Sequence, residues 1–221
     1  MFDQPGKADT PEIETESPDP GQCRLERVRD PALIVIFGAT GDLTRRKLFP
    51  SLFSLYQNGL LPESFCILGA ARSGLSPDEF RESMRRSVEP EPGQRPSGWE
   101  EISTRLFYHP VDYEDQESFA RLKGFANELD TIFSTRGNRI FYLAVPPTVY
   151  PTIARQLGEA GLAREDKERG SWVRFVVEKP FGHDLKSARE LDRALHSSFS
   201  EHQIFRIDHY LAKETVQNIL M

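Results

Sequence analysis

The run Arg206-Ile207-Asp208-His209-Tyr210-Leu211-Ala212-Lys213-Glu214 places an acid, an imidazole, a phenol and an ammonium within six residues. His209, Tyr210 and Lys213 are donors that suit a phosphate monoester, whose oxygens accept several charge-assisted hydrogen bonds. Asp208 is the misfit, since a carboxylate repels phosphate. Neighbours on an extended strand point to opposite faces, so Asp208 and His209 do not make a catalytic dyad. His209, Tyr210 and Lys213 read instead as phosphate holders, and Asp208 as a carboxylate that orients an imidazole supplied from elsewhere. Taken alone, the same side chains fit ordinary strand-end and solvated helix positions equally well. Gln203 to Ile207 has the β-branched and aromatic pattern of a strand, and Glu214, Val216, Gln217, Ile219 and Leu220 follow at helical spacing. The cluster thus sits at a strand end, where open α/β sheets bind ligands.

A second constellation lies near the other end of the chain. Leu33-Ile34-Val35-Ile36-Phe37 runs into Gly38-Ala39-Thr40-Gly41-Asp42-Leu43 and then into a helical stretch through Leu48, Leu52, Phe53 and Leu55. A glycine turn from first strand to first helix lets backbone approach a pyrophosphate and aims N–H groups at it. The spacing is G-x-x-G, not G-x-G-x-x-G, and turns of this kind also occur without a ligand. Pro50 inside the helix predicts a kink. The next strand should end in the residue that reads the adenosine ribose, which for NAD is an acid. Here it ends Gly69-Ala70-Ala71-Arg72-Ser73, and a guanidinium with a hydroxyl suits a 2′-phosphate, which favours NADP. A solvated arginine is the alternative.

The elements that must position these groups follow from hydropathy. Residues 1–30 are rich in Pro, Glu, Asp, Ser and Thr and read as a disordered leader. From Ala32, apolar runs alternate with amphipathic stretches: Ala32 to Phe37, Phe65 to Ala70, Leu106 to Tyr108, Ile140 to Val145, Val173 to Val177 and Ile204 to Ile207. Near-continuous apolar strands mark a parallel sheet covered on both faces, so the expected class is α/β, a doubly wound, Rossmann-like parallel sheet. Residues 31–208 read as a dinucleotide-binding domain and 209–221 as the start of an α+β C-terminal domain. Ser76-Pro77-Asp78-Glu79 carries a helix-start signature, Asp115 precedes a helical run, and Glu89 to Gly98 reads as a surface loop.

A net charge of -6 gives no global attraction to nucleic acid, and Arg45-Arg46-Lys47 is a local cluster. No apolar run approaches the ~20 residues that span a membrane. Cys23 and Cys66 stand far apart, against a disulfide framework or a metal site. The expectation is a soluble, cytoplasmic protein without metal, nucleic acid or membrane partner. His109, His183, His196 and His202 read as loop or helix-surface residues without a partner.

With G-A-T-G-D-L, A-R-S, A-V-P-P-T-V-Y, E-K-P-F-G and R-I-D-H-Y-L-A-K-E in this order, the sequence resembles the glucose-6-phosphate 1-dehydrogenase family from Leu33 onward. The resemblance implies NADP-dependent oxidation of glucose 6-phosphate to 6-phosphogluconolactone, the entry step of the pentose phosphate route. It implies cofactor contacts from Gly38, Ala39, Thr40, Gly41, Asp42, Leu43, Thr44 and Arg45, from Arg72, and from Asp112, Tyr113 and Tyr150. Lys179 would lie between cofactor and sugar; His209, Tyr210 and Lys213 would hold the sugar phosphate; and Asp208 would pair with the family's general-base histidine. That histidine belongs to a large C-terminal domain, so a chain ending at Met221 is expected to be a truncated form with impaired activity, the alternative being a non-catalytic NADP-binding fragment. The family's subunit contacts lie mostly in that same part, which leaves a homo-oligomer open. Ala212 stands where the family has glycine, and Thr44 where it has a small alanine. Glucose-fructose oxidoreductase also carries E-K-P after a strand, but with G-x-G-x-x-G and without D-H-Y-L-x-K, so it fits poorly.

Overall fold

The computed structural model describes residues 29–207. Six strands, β1 (Ala32–Phe37), β2 (Phe65–Ala71), β3 (Leu106–Pro110), β4 (Arg139–Leu143), β5 (Val173–Glu178) and β6 (Ile204–Ile207), form one sheet in the order β3-β2-β1-β4-β5-β6. Every neighbouring pair is parallel. Parallel pairing demands crossovers, supplied here by helices α1 (Phe49–Gln57), α2 (Pro77–Ser87), α3 (Trp99–Ser103), α4 (Gln116–Phe133), α5 (Tyr150–Glu159) and α6 (Leu185–His196). The strand order reverses direction between β1 and β4, and α4 makes the long crossover there. This is the doubly wound α/β sheet that the apolar runs predict.

Side chains alternate faces along a strand, and β1 shows the consequence. Leu33, Val35 and Phe37 enter a core shared with Phe119 of α4, Ile153 of α5 and Leu195 of α6. Ile34 and Ile36 enter a second core with Phe49 and Leu52 of α1, Met84 of α2 and Ile102 of α3. Both faces of β1 are therefore dry, which is why its sequence is apolar throughout. The edge strand β3 alternates between buried Leu106 and Tyr108 and half-buried Phe107 and His109.

Local signals place the helix starts. Ser76 Oγ accepts from Glu79 N–H at 3.2 Å while the Glu79 carboxylate accepts from Ser76 N–H at 2.8 Å, the reciprocal box read from the sequence. Asp115 caps α4 by accepting from Glu117 and Ser118 N–H. Thr44–Leu48 winds as a π-helix, and Phe49 N–H reaches back to Thr44 O before α1 begins. Pro50 has no N–H to give and falls in the first turn of α1, just after the changeover from π to α winding.

The boundaries differ from expectation where polar residues enter strands. β4 begins at Arg139, whose guanidinium is taken up by Asp130 and by Asn127 at 2.6 Å, and stops at Leu143 instead of Val145. β3 runs on to Pro110, so His109 belongs to a strand, with its ring stacked on Phe125 at 5.6 Å. His196 and His202 are also partnered, by Glu201 at 2.7 Å and Glu165 at 2.9 Å. These acids come from other elements, so sequence spacing alone did not reveal them. No helix among the described residues is long and apolar enough to cross a membrane.

Candidate functional site

Because all six strands run the same way, their carboxyl ends share one edge of the sheet. Four of the segments singled out from sequence leave from that edge: Gly38 to Arg45 after β1, Arg72 after β2, Asp112 and Tyr113 after β3, and Lys179 after β5. Tyr150 opens α5, which follows the β4 end. Asp208, His209, Tyr210 and Lys213 lie outside the described residues. Ile207, the last one described, pairs with Glu178 and accepts a hydrogen bond from Lys179 N–H at 3.2 Å.

The glycine turn is tightly built. Gly38 has φ +79°, and a Cβ there would stand 2.2 Å from Ala144 O and 2.8 Å from Val145 Cγ1. Its N–H is already spent on Ala70 O at 2.9 Å and on Tyr113 Oη at 3.2 Å. Gly38 therefore shapes the turn without offering a donor. The donors are those of the helix start that follows, since the first turn of a helix leaves its N–H groups without carbonyl partners. Gly41 keeps that start open, for its nearest neighbours to an added Cβ are Gly38 O at 3.1 Å and Ala144 O at 3.9 Å. Thr44 is buried, and its hydroxyl donates to Gly38 O at 3.1 Å, bracing the turn from below. Ala39 is buried in the second core, whereas Asp42 and Arg45 pair with each other at 2.9 Å on the surface.

At the end of β2, Arg72 and Ser73 are exposed. Ser73 Oγ lies 3.4 Å from Thr40 Oγ1, which joins this end to the glycine turn. The Arg72 guanidinium carbon stands 5.9 Å from the centroid of the Tyr113 ring. Tyr113 is buried against Phe37 edge-on at 5.9 Å. Burial raises its phenol above the ordinary tyrosine value, against the lowering effects of Gly38 N–H and Arg72. Asp112 is exposed and accepts from Glu114 N–H at 3.0 Å. Next to the turn, a cleft of about 630 Å³ is lined by Arg45, Arg46 and Arg86 together with Glu79, Glu82, Ser83 and Ser87.

At the end of β5, Lys179 is exposed beside a buried polar knot that sequence reasoning missed. Glu178 is 6% exposed, and its carboxylate accepts from Tyr142 Oη. Tyr142 pairs with Val176 across the sheet, so Glu178, two residues on, is its same-face diagonal neighbour. That register is the only signal that could have found the pair, and it needs the strand alignment first. Burial and then the Glu178 carboxylate push the Tyr142 phenol upward, so it remains a donor. Tyr150 is 1% exposed; its hydroxyl donates to Glu178 O and accepts from Glu178 N–H, both at 3.4 Å. Burial pushes its phenol up to about 12. Tyr150 thus stands beneath the β5 end and holds the backbone that carries Lys179.

A glycine turn and helix start at the end of the first strand, beside the strand-order reversal of a parallel sheet, define a dinucleotide-binding α/β domain. The open side of Gly41 at the turn fits a pyrophosphate, and exposed Arg72 with Ser73 fits a phosphate on the adenosine ribose. Residues 35–218 match the family described as glucose-6-phosphate dehydrogenase, NAD binding domain, and the chain belongs to that family. It is 46% identical over 188 residues to the glucose-6-phosphate 1-dehydrogenase of Aggregatibacter actinomycetemcomitans, covering 85% of this chain and 37% of that protein. The Bacillus subtilis (strain 168) enzyme of the same name is 41% identical, with the same coverage. A solved glucose-6-phosphate dehydrogenase in complex with its substrate glucose-6-phosphate superimposes with a TM-score of 0.73 at 38% identity, over 87% of this chain and 39% of that one. The chain thus spans less than half the length of these relatives.

Proposed function

We propose that the chain is the NADP-binding portion of a glucose-6-phosphate dehydrogenase, an oxidoreductase that converts glucose 6-phosphate to 6-phosphogluconolactone at the entry of the pentose phosphate route. The observation that carries the reading is the contact of Ser73 with Thr40, which sets the exposed Arg72–Ser73 end of β2 beside the Gly38–Gly41 turn. A guanidinium stands where an NAD enzyme keeps an acid, and it favours a 2′-phosphate by a charge-assisted fork. When bound, NADP supplies the nicotinamide carbon that accepts a hydride from C1 of the sugar.

The chain's own residues bind and position the reactants. Gly41 and the helix start behind it receive the pyrophosphate, and Arg72 with Ser73 takes the adenosine phosphate. Lys179, carried on a backbone held by Tyr150 and Ile207, stands between cofactor and sugar as a donor. His209, Tyr210 and Lys213 hold the sugar phosphate, and Asp208 orients the imidazole that removes the C1 hydroxyl proton. Residues 31–208 act as the dinucleotide domain of a soluble, cytoplasmic protein.

Calorimetric titration with NADP and with NAD tests this, followed by an NADPH absorbance assay with glucose 6-phosphate at saturating NADP. The expected result is binding of NADP over NAD. Absence of binding by either nucleotide would overturn the cofactor reading. Turnover would establish the complete reaction in this chain, whereas binding without turnover would assign it the nucleotide-binding part alone.

A further inference from the structure

Tyr113 touches both halves of the proposed nucleotide site and is fixed by three neighbours. Its hydroxyl accepts from Gly38 N–H at 3.2 Å, across 75 residues of sequence. Its ring packs edge-on against Phe37 at 5.9 Å, and the Arg72 guanidinium lies 5.9 Å from the ring centroid. Among the described residues, no carboxylate pairs with Arg72. An exposed arginine without such an anchor samples many rotamers, and ordering it on binding costs affinity. An aromatic face within about 6 Å limits that sampling by cation–π attraction.

We propose that Tyr113 is a specificity-determining positioning residue: its ring holds Arg72 ready for a ribose 2′-phosphate and so sets the preference for NADP over NAD. This rests on the cofactor reading above. The ring carries the effect, and the hydroxyl serves the turn. Gly38 N–H keeps its 2.9 Å bond to Ala70 O when the phenol is lost, so the turn survives removal of the hydroxyl. Ring and hydroxyl can therefore be separated by substitution.

The test compares Tyr113→Phe and Tyr113→Leu by calorimetric titration with NADP and NAD, alongside thermal unfolding of each variant. Tyr113→Phe keeps the platform and is expected to retain the wild-type ratio of NADP to NAD affinity. Tyr113→Leu is expected to lower the ratio of NADP to NAD affinity about two- to fivefold, the size of an exposed cation–π contact, beyond any loss common to both nucleotides. An equal fall for both nucleotides would show that the ring only supports the fold and would overturn the proposal. So would a Phe variant that behaves like Leu, or a Leu variant with an unchanged ratio. If the wild-type chain binds neither nucleotide, the cofactor reading fails and takes this one with it. If the wild type prefers NADP and the variants do not shift that preference, only this proposal fails.

Discussion

Replacing each glycine of the turn by alanine separates what shapes the fold from what admits the ligand. At Gly38 the added Cβ meets two backbone atoms, Ala144 O at 2.2 Å and Ala144 C at 2.9 Å, and neither can swing away as a side chain would. The backbone there also has φ +79°, which costs an L-residue about 1–2 kcal/mol. Overpacking adds about 1–3 kcal/mol, giving a total of about 2–5 kcal/mol and, for a domain of this size, a melting temperature lower by about 4–20 °C. Gly41 differs, because its Cβ meets only Gly38 O closely, at 3.1 Å, and no left-handed backbone is involved. The smaller entropy of an unfolded alanine offsets that contact, so stability should change by no more than about 1 kcal/mol. Its methyl would nevertheless stand where backbone approaches the pyrophosphate, weakening NADP by about 1–3 kcal/mol, or roughly 5- to 150-fold. Thermal unfolding followed by circular dichroism, with calorimetric titration of whatever folds, reads both effects. A Gly38→Ala variant melting within about 2 °C of wild type would refute the steric argument. Undiminished NADP binding by Gly41→Ala would refute the placement of the pyrophosphate.

Three further substitutions probe separate parts of the structure. Arg72→Ala should weaken NADP by about 1.5–3 kcal/mol, the worth of a charged hydrogen bond, while sparing NAD; equal losses in a titration would sink the 2′-phosphate assignment. Tyr142→Phe removes a donor from the buried Glu178 carboxylate and should destabilise by about 1–3 kcal/mol in urea unfolding, and no measurable loss would show that the carboxylate does not rely on it. His196 faces acceptors on both ring nitrogens, Asp192 O at 2.8 Å and Glu201 Oε2 at 2.7 Å, so the doubly protonated ring satisfies both. The Asp192 carbonyl and then the Glu201 carboxylate hold its pKa above the ordinary 6.5, with Arg206 bonded to the same two acids. A raised folded-state pKa means that the stabilisation is complete below about 6.5 and is lost as pH rises through the folded value. His196→Gln should flatten the pH dependence of unfolding above that point, and a wild-type-like slope in the variant would contradict the assignment.

What could be read from the sequence depended on how local the cause was. β1 begins and ends where its apolar run does, because a strand buried on both faces announces itself residue by residue. The capping box at Ser76 and the cap at Asp115 were legible for the same reason, since each is complete within four residues. Arg139 was not, because its buried charge is acceptable only through Asp130 and Asn127 on α4. The site divides along the same line. Gly38, Gly41, Arg72 and Lys179 could be named because each sits at the end of a recognisable strand, and parallel topology brings all such ends to one edge. The contacts that tune them join residues far apart in sequence: Tyr113 to Gly38, Tyr142 to Glu178, Tyr150 to the backbone of Glu178. All three involve tyrosines on whose rings the apolar cores close, and whose hydroxyls burial keeps protonated. A tyrosine in such a place satisfies the hydrophobic pattern with its ring, and so its sequence signal is that of any core aromatic. Its second role is set by which strand lies beside it. Strand order, here the reversal between β1 and β4, is therefore the information that turns a set of motif residues into a site.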